Sequence, residues 1–102
     1  MKRFRLEIAR AVRDLLIHLP PNLKRKVKAV LQALAENPYQ AKALRGDLAG
    51  LRSFWVVRSR IILRIKGSTV EIIAFGPRKD IYQRAASELR TTLRSRRKET
   101  KS

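Results

Sequence analysis

The sequence predicts an α+β fold: an N-terminal strand and a two-helix hairpin packed on an antiparallel sheet with three consecutive later strands, then a C-terminal helix. Three observations lead there. Phe4-Arg5-Leu6-Glu7-Ile8 alternates apolar and charged residues as a half-buried strand does; apolar residues between 12 and 34 recur at helical spacing; and residues 51 to 75 are rich in Val, Ile, Phe and Trp. At 102 residues with 44% hydrophobic content, the chain suits one core and is too short for two. A single domain over residues 1–93 is therefore expected, with 94–102 as a basic, disordered tail.

Phe4 to Ile8 forms the first strand. Val12, Leu15, Leu16 and Leu19 share one face of a helix that ends before Pro20-Pro21. Leu23, Val27, Val30, Leu31 and Leu34 repeat that spacing, with Lys24, Arg25, Lys26 and Lys28 between them, until Asn37-Pro38 ends the run. Tyr39 to Gly50 holds no sustained period and is read as a loop carrying Lys42 and Arg45. Strands follow over Leu51 to Val57, Arg60 to Ile65 and Thr69 to Phe75, with Lys66-Gly67-Ser68 as the turn between the last two. In the middle strand Ile61, Leu63 and Ile65 point one way and Arg60, Ile62 and Arg64 the other, so one face should be apolar and the second, open face mixed and basic. After Gly76-Pro77, Ile81, Ala85, Leu89 and Leu93 fall at steps of four with Asp80 as N-cap, which predicts a last helix. Arg94 to Ser102 contains no apolar residue, hence the tail.

Charge narrows the function. Lys and Arg number 25 against 8 Asp and Glu, a formal +17, and the cations continue through every segment. Such a field calls for a polyanion, and nucleic acid fits better than a membrane surface or an acidic protein. No apolar run approaches the roughly 20 residues that span a bilayer, and Met1 to Arg10 lacks the apolar core of a signal peptide, so a cytoplasmic location is expected. With no cysteine and a single histidine, His18, neither a thiolate nor an imidazole metal site is expected. The four glycines are too widely spaced for a phosphate loop, so no cofactor is expected.

Three segments carry a resemblance: Leu44-Arg45-Gly46-Asp47-Leu48-Ala49-Gly50-Leu51-Arg52, Arg60-Ile61-Ile62-Leu63-Arg64-Ile65 and Gly76-Pro77-Arg78-Lys79-Asp80-Ile81-Tyr82. In this order the chain resembles the RelE/ParE toxin superfamily from the Phe4 strand to the Tyr82 helix. The resemblance implies the toxin of a type II toxin-antitoxin system, partnered by a cognate antitoxin, and for RelE-like members a metal-independent endoribonuclease (mRNA interferase) that cuts messenger RNA in the ribosomal A site through the 2′-hydroxyl. By the same resemblance Arg78 and Arg60 bind the phosphate and its transition state, for which the planar guanidinium is suited. Tyr82 stacks on a base or assists proton transfer, with packing beside Ile81 as its ordinary alternative. Lys79 is a further catalytic candidate, and Arg58, Arg52, Arg45 and Lys42 are candidate RNA-binding residues.

The chain departs from the family on the strand that reads Phe54-Trp55-Val56-Val57, where RelE-like toxins often carry lysines, one of them the suspected base. Arginine is no substitute, since its pKa stays above about 12, so proton abstraction falls to Lys79, Tyr82 or Asp80. Val57-Arg58 also stands where relatives often have a Gly-Asp turn. His18 is read as a helix-terminal residue, Trp55 as core or antitoxin-contact surface, and Glu7 and Glu71 as ion-pairing strand carboxylates. Two rival functions remain open: a ParE-like toxin that inhibits gyrase without cutting RNA, which the missing lysines fit, and a non-catalytic basic RNA- or ribosome-binding protein, for which the charge suffices.

Overall fold

A computed structural model describes residues 3–77, 81, 82, 85 and 86. In chain order they form β1 (Arg5–Ile8), α1 (Arg10–Ile17), α2 (Pro21–Glu36), β2 (Lys42–Ala43), β3 (Arg52–Val56), β4 (Ser59–Lys66) and β5 (Thr69–Pro77). Short 3-10 turns at Pro38–Gln40 and Gly46–Leu48 flank β2. Ile81, Tyr82, Ala85 and Ala86 are helical; the rest of the helix expected over 80–93, and the tail over 94–102, lie outside the described residues. Among the described residues no helix is long and apolar enough to cross a membrane.

Local chemistry accounts for the helix ends. Pro21 opens α2 at a position where its missing N–H costs no hydrogen bond, and Pro38 follows the last helical turn, where it bars continuation. The Phe4 N–H donates to the Ala35 carbonyl at 2.8 Å, which satisfies an acceptor left over at the end of α2 and ties β1 to it. The Ala9 N–H donates to the Ile72 carbonyl at 2.9 Å and anchors the start of α1 to β5.

The five strands make one sheet in the order β1-β5-β4-β3-β2. β1 runs parallel to β5 and every other pair is antiparallel. The sheet is therefore mixed and not antiparallel throughout as expected, because β1 joins it parallel to β5. β2 was hidden in the expected loop because two residues, Lys42 opposite Ser53 and Ala43 opposite Arg52, are too few to show alternation.

Both helices cover one face. Val12, Val27, Leu31 and Leu34 pack on Val56, Ile61, Leu63, Val70, Ile72 and Phe75 in the main core. Leu34, Ile61, Leu63 and Ile72 are at most 1% exposed, each stabilising by about 1.5–3 kcal/mol relative to an exposed side chain. The apolar stripe expected on α2 is the one that is buried or half-buried, and Lys24, Arg25, Lys26 and Lys28 face solvent. α1 departs from expectation: Val12 is buried and Leu16 and Leu19 are half-buried, but Leu15 is 43% exposed because it lies at the rim of a stripe wider than the surface this two-turn helix covers.

The second face is not open along its whole length. Leu51, Ile62, Ile73, Ala74, Ile81 and Ala85 form a second apolar cluster there, with Leu44, Leu48 and Tyr82 packed against it. Strict alternation would not put both Ile73 and Ala74 on that side. A register shift between Ile62 and Leu63, which pair with Ala74 and Ile72, leaves Ile73 as the extra residue of a β-bulge. Downstream of it Phe75 turns into the main core and Gly76 lies opposite Arg60.

Two hairpins have two-residue loops, Val57-Arg58 and Gly67-Ser68, and in each the first loop residue has positive φ, 58° at Val57 and 60° at Gly67. A turn of this kind favours glycine at that place, and a β-branched residue there is strained by about 1–2 kcal/mol. Val57→Gly is expected to raise stability by about 1 kcal/mol, read as a higher denaturant midpoint at unchanged m-value; a lower midpoint would show that the valine side chain makes compensating contacts.

Candidate functional site

The sheet face away from α1 and α2 is organised by cross-strand rows. Lys42, Ser53, Ile62 and Ala74 are successive partners across β2, β3, β4 and β5, and the next row on the same face is Trp55, Arg60 and Gly76. Gly76 brings no side chain to that row. Arg60 fills the space in between: its guanidinium carbon lies 4.0 Å from the centroid of the Trp55 ring and 5.6 Å from that of Tyr82. Both distances fall within the reach of a cation–π contact, so the guanidinium is flanked by two aromatic side chains from different elements.

The clamp has a polar remainder. Arg60 Nε is buried and has no hydrogen-bond partner among the described residues, whereas buried polar groups are nearly always paired. Trp55 is 48% exposed and Tyr82 is half-buried, so the stack sits at the boundary between the second apolar cluster and solvent. Trp55 is thus not a core residue.

The neighbouring cations are employed differently. Arg64, on the same strand and face, is paired with Glu71 across β4 and β5 at 2.9 and 3.0 Å, with both side chains largely buried. Its charge is compensated, as the ion-pair reading of Glu71 anticipates. Arg52 belongs to the opposite face: it donates to the Ala41 carbonyl at 2.8 Å and lies 5.2 Å from the centroid of Tyr39, bracing the chain between α2 and β2. The candidate set is therefore not brought together as a whole. Arg60 and Tyr82 meet, Lys42 shares their face by register, Arg58 is exposed in the β3–β4 turn, Arg45 is exposed before the Gly46–Leu48 turn, and Arg52 is turned away. Arg78, Lys79 and Asp80 lie outside the described residues, following Pro77, the β5 partner of Ser59. His18 caps the end of α1, with ring Nδ1 2.8 Å from the Asp14 carbonyl oxygen, in keeping with its helix-terminal reading.

Trp55 is the member of the site that its sequence position did not announce. The signal was the length of the β3–β4 turn: a two-residue loop at Val57-Arg58 pairs Val56 with Ser59 and Trp55 with Arg60. Chemically the arrangement presents a cation with a planar hydrogen-bonding fork, held by stacking, beside partly exposed aromatic rings, a combination suited to phosphate and to an unpaired base. Because Trp55 is the sole tryptophan, its emission reports on the stack. Arg60→Leu is expected to red-shift that emission and increase its quenching by acrylamide, with stability falling by about 0.5–1 kcal/mol; an unchanged spectrum would mean that the stack does not persist in solution.

Comparison with known proteins places this geometry in a family. The model of the ParE toxin of type II toxin-antitoxin systems (parDE) matches residues 1–82. No curated protein sequence matches. Among solved structures, the toxin-antitoxin complex RelBE2 from Mycobacterium tuberculosis is 27% identical at a TM-score of 0.68, with 76% of this chain and 100% of that chain covered. An E. coli RelE doubly substituted at arginine and solved in the free state is 17% identical, with a TM-score of 0.72 and 84% and 97% covered. The archaeal RelE–RelB complex from Pyrococcus horikoshii is 21% identical, with a TM-score of 0.63 and 76% and 98% covered; these last two likenesses concern the fold. With a family model that spans four-fifths of its length, the chain belongs to the RelE/ParE superfamily of type II toxin-antitoxin toxins.

Proposed function

We propose that this toxin is a ribosome-dependent endoribonuclease that cleaves messenger RNA in the A site by attack of a 2′-hydroxyl on the adjacent phosphorus. The observation that carries the reading is Arg60, a guanidinium held between Trp55 and Tyr82. In the reaction the 2′-oxygen loses its proton and bonds to phosphorus, and the 5′-oxygen leaves and takes up a proton. The products are a 2′,3′-cyclic phosphate and a 5′-hydroxyl.

Arg60 serves as the donor that stabilises charge on the pentacoordinate phosphorus, and its aromatic flanks limit the rotamer freedom it would otherwise lose on binding. Arg78 is assigned a second phosphate contact. Tyr82, whose ring already lies against Arg60, stacks on a base or passes a proton, and Lys79 completes the catalytic set. Lys42, Arg45 and Arg58 add electrostatic attraction to the message. Arg52 belongs to this set by sequence alone and acts in the scaffold. A cognate antitoxin is the proposed partner, by likeness to the RelBE2 and RelE–RelB complexes, and the ribosome and its message are the proposed targets, which places the activity in the cytoplasm.

A second reading has its own support: the matching family model is that of ParE, and β3 has none of the lysines that RelE-like toxins often carry on this strand. It would make the protein a non-cutting gyrase inhibitor. Primer extension on messages from cells briefly expressing the chain separates the two. In-frame cuts that need ongoing translation are expected, weakened about 100-fold or more by Arg60→Ala and unaffected per folded molecule by Arg52→Met. Growth arrest with intact messages and gyrase-linked DNA breaks would sink the nuclease reading.

A further inference from the structure

We propose that Trp55 is the base-stacking platform of this toxin, on which one unpaired nucleobase of the A-site codon lies while Arg60, stacked against the same ring, holds a neighbouring phosphate. The proposal rests on the RNA-cleavage reading and goes beyond it by assigning the base contact to a residue on β3.

Several observations converge on Trp55. An aromatic side chain on a strand normally gains its stability by burial, yet Trp55 remains 48% exposed although Arg60 already covers it at 4.0 Å. The exposure that remains belongs to surface the guanidinium does not cover. Two residues further on, Val57 is 61% exposed and sits at φ 58°, so a strained backbone position is spent on an apolar side chain that contributes little burial. Strain kept without a packing return points to a surface shaped for a ligand. The two exposed apolar side chains precede Arg58 and Arg60 in the β3–β4 hairpin, so exposed apolar surface and two arginines lie within six residues, 55 to 60.

The ligand class follows from that mixture. A duplex offers its phosphates but keeps its bases stacked on one another, so it would leave the indole bare. Single-stranded RNA with a base splayed out can use both ring and cation. A protein partner could cover the indole as well, but it would have no need of an Arg60 that carries no ion pair among the described residues, whereas Arg64, the other arginine on this face of β4, is paired with Glu71.

The test is a cycle between the ring and the base, run as single-turnover cleavage by the full chain on ribosomes programmed with a defined message. Each of the three A-site nucleotides is replaced in turn by an abasic one that keeps its 2′-hydroxyl. Trp55→Leu is expected to raise the half-saturating toxin concentration on the intact codon on the order of 10-fold, with a smaller change in the cleavage rate at saturation, and Trp55→Phe to restore most of it. At one codon position the abasic message should cost the unsubstituted protein a similar factor and cost Trp55→Leu almost nothing more, because the two changes remove the same contact. Losses that multiply at all three positions would overturn the platform and leave Trp55 as a prop for Arg60, a role that would show instead in the saturated rate. If the unsubstituted chain cuts no message on the ribosome, the nuclease reading fails first and the platform with it; thermal melts of both variants close to that of the parent exclude misfolding as the cause of any loss.

Discussion

The pairing of β4 with β5, interrupted by a single extra residue at Ile73, is the constraint from which the rest of the molecule follows. Side chains alternate across a strand with period two, so one inserted residue exchanges the two faces for everything beyond it. Before the bulge Val70 and Ile72 feed the core beneath the helices; after it Phe75 continues to do so, and Ile73 with Ala74 thickens the opposite side. The same exchange puts Gly76 rather than a bulky side chain next to Arg60. A regular strand would have aimed Phe75 at the arginine and emptied part of the main core.

Two cores on two faces of a five-stranded sheet also explain how so small and so cationic a chain can fold. A formal +17 is self-repelling, and the described residues offer little internal compensation: Arg3 pairs with Glu36 at an exposed site that contributes at most about 1 kcal/mol, and Arg64 with Glu71 at a partly buried one. Apolar burial must therefore outweigh the repulsion. The central strands β4 and β5 do most of this, since Ile61, Ile62, Leu63, Val70, Ile72 and Ile73 supply both faces at once. The candidate site lies where that burial ends, at the Trp55–Arg60–Gly76 row.

Much of the architecture was legible in the residues. The α2 stripe, the strand over 60–65 with its two unlike faces, and the turn at Gly67 follow from periods of 3.6 and 2 and from a glycine where φ must be positive. What escaped the sequence depends on pairing between distant segments. β2 exists only because β3 lies beside it, the parallel seat of β1 against β5 joins segments more than 60 residues apart, and the bulge leaves no mark in a run of apolar residues. The site divides in the same way. Arg60 and Tyr82 could be proposed from a family resemblance, whereas Trp55 needed the register, which a β-branched residue in the β3–β4 turn disguised. Arg52 illustrates the converse: a cation in a family motif is not thereby on the face of the candidate site, and its bonds to the Ala41 and Tyr39 carbonyls tie it to the scaffold.

On the proposed RNA-cleavage reading, a strand that reads Phe54-Trp55-Val56-Val57 where RelE-like toxins often carry lysines would separate binding from proton transfer. A lysine on β3 could in principle do both, contacting phosphate and exchanging a proton, because an ammonium loses its proton far more readily than a guanidinium. An indole carries no charge and exchanges no proton near neutral pH; it can hold a base and a neighbouring guanidinium in place. On that reading the 2′-hydroxyl proton is removed from elsewhere than β3, and the candidates are Lys79, Asp80 and Tyr82, which follow Pro77 next to Gly76, the β5 partner of Arg60. β3 and β4 would thus provide a preorganised seat for the substrate, while the short segment after β5 provides its chemistry. In such a division substitutions on β3 act chiefly on affinity and those after Pro77 on rate, two consequences that a single multipurpose lysine would have kept together.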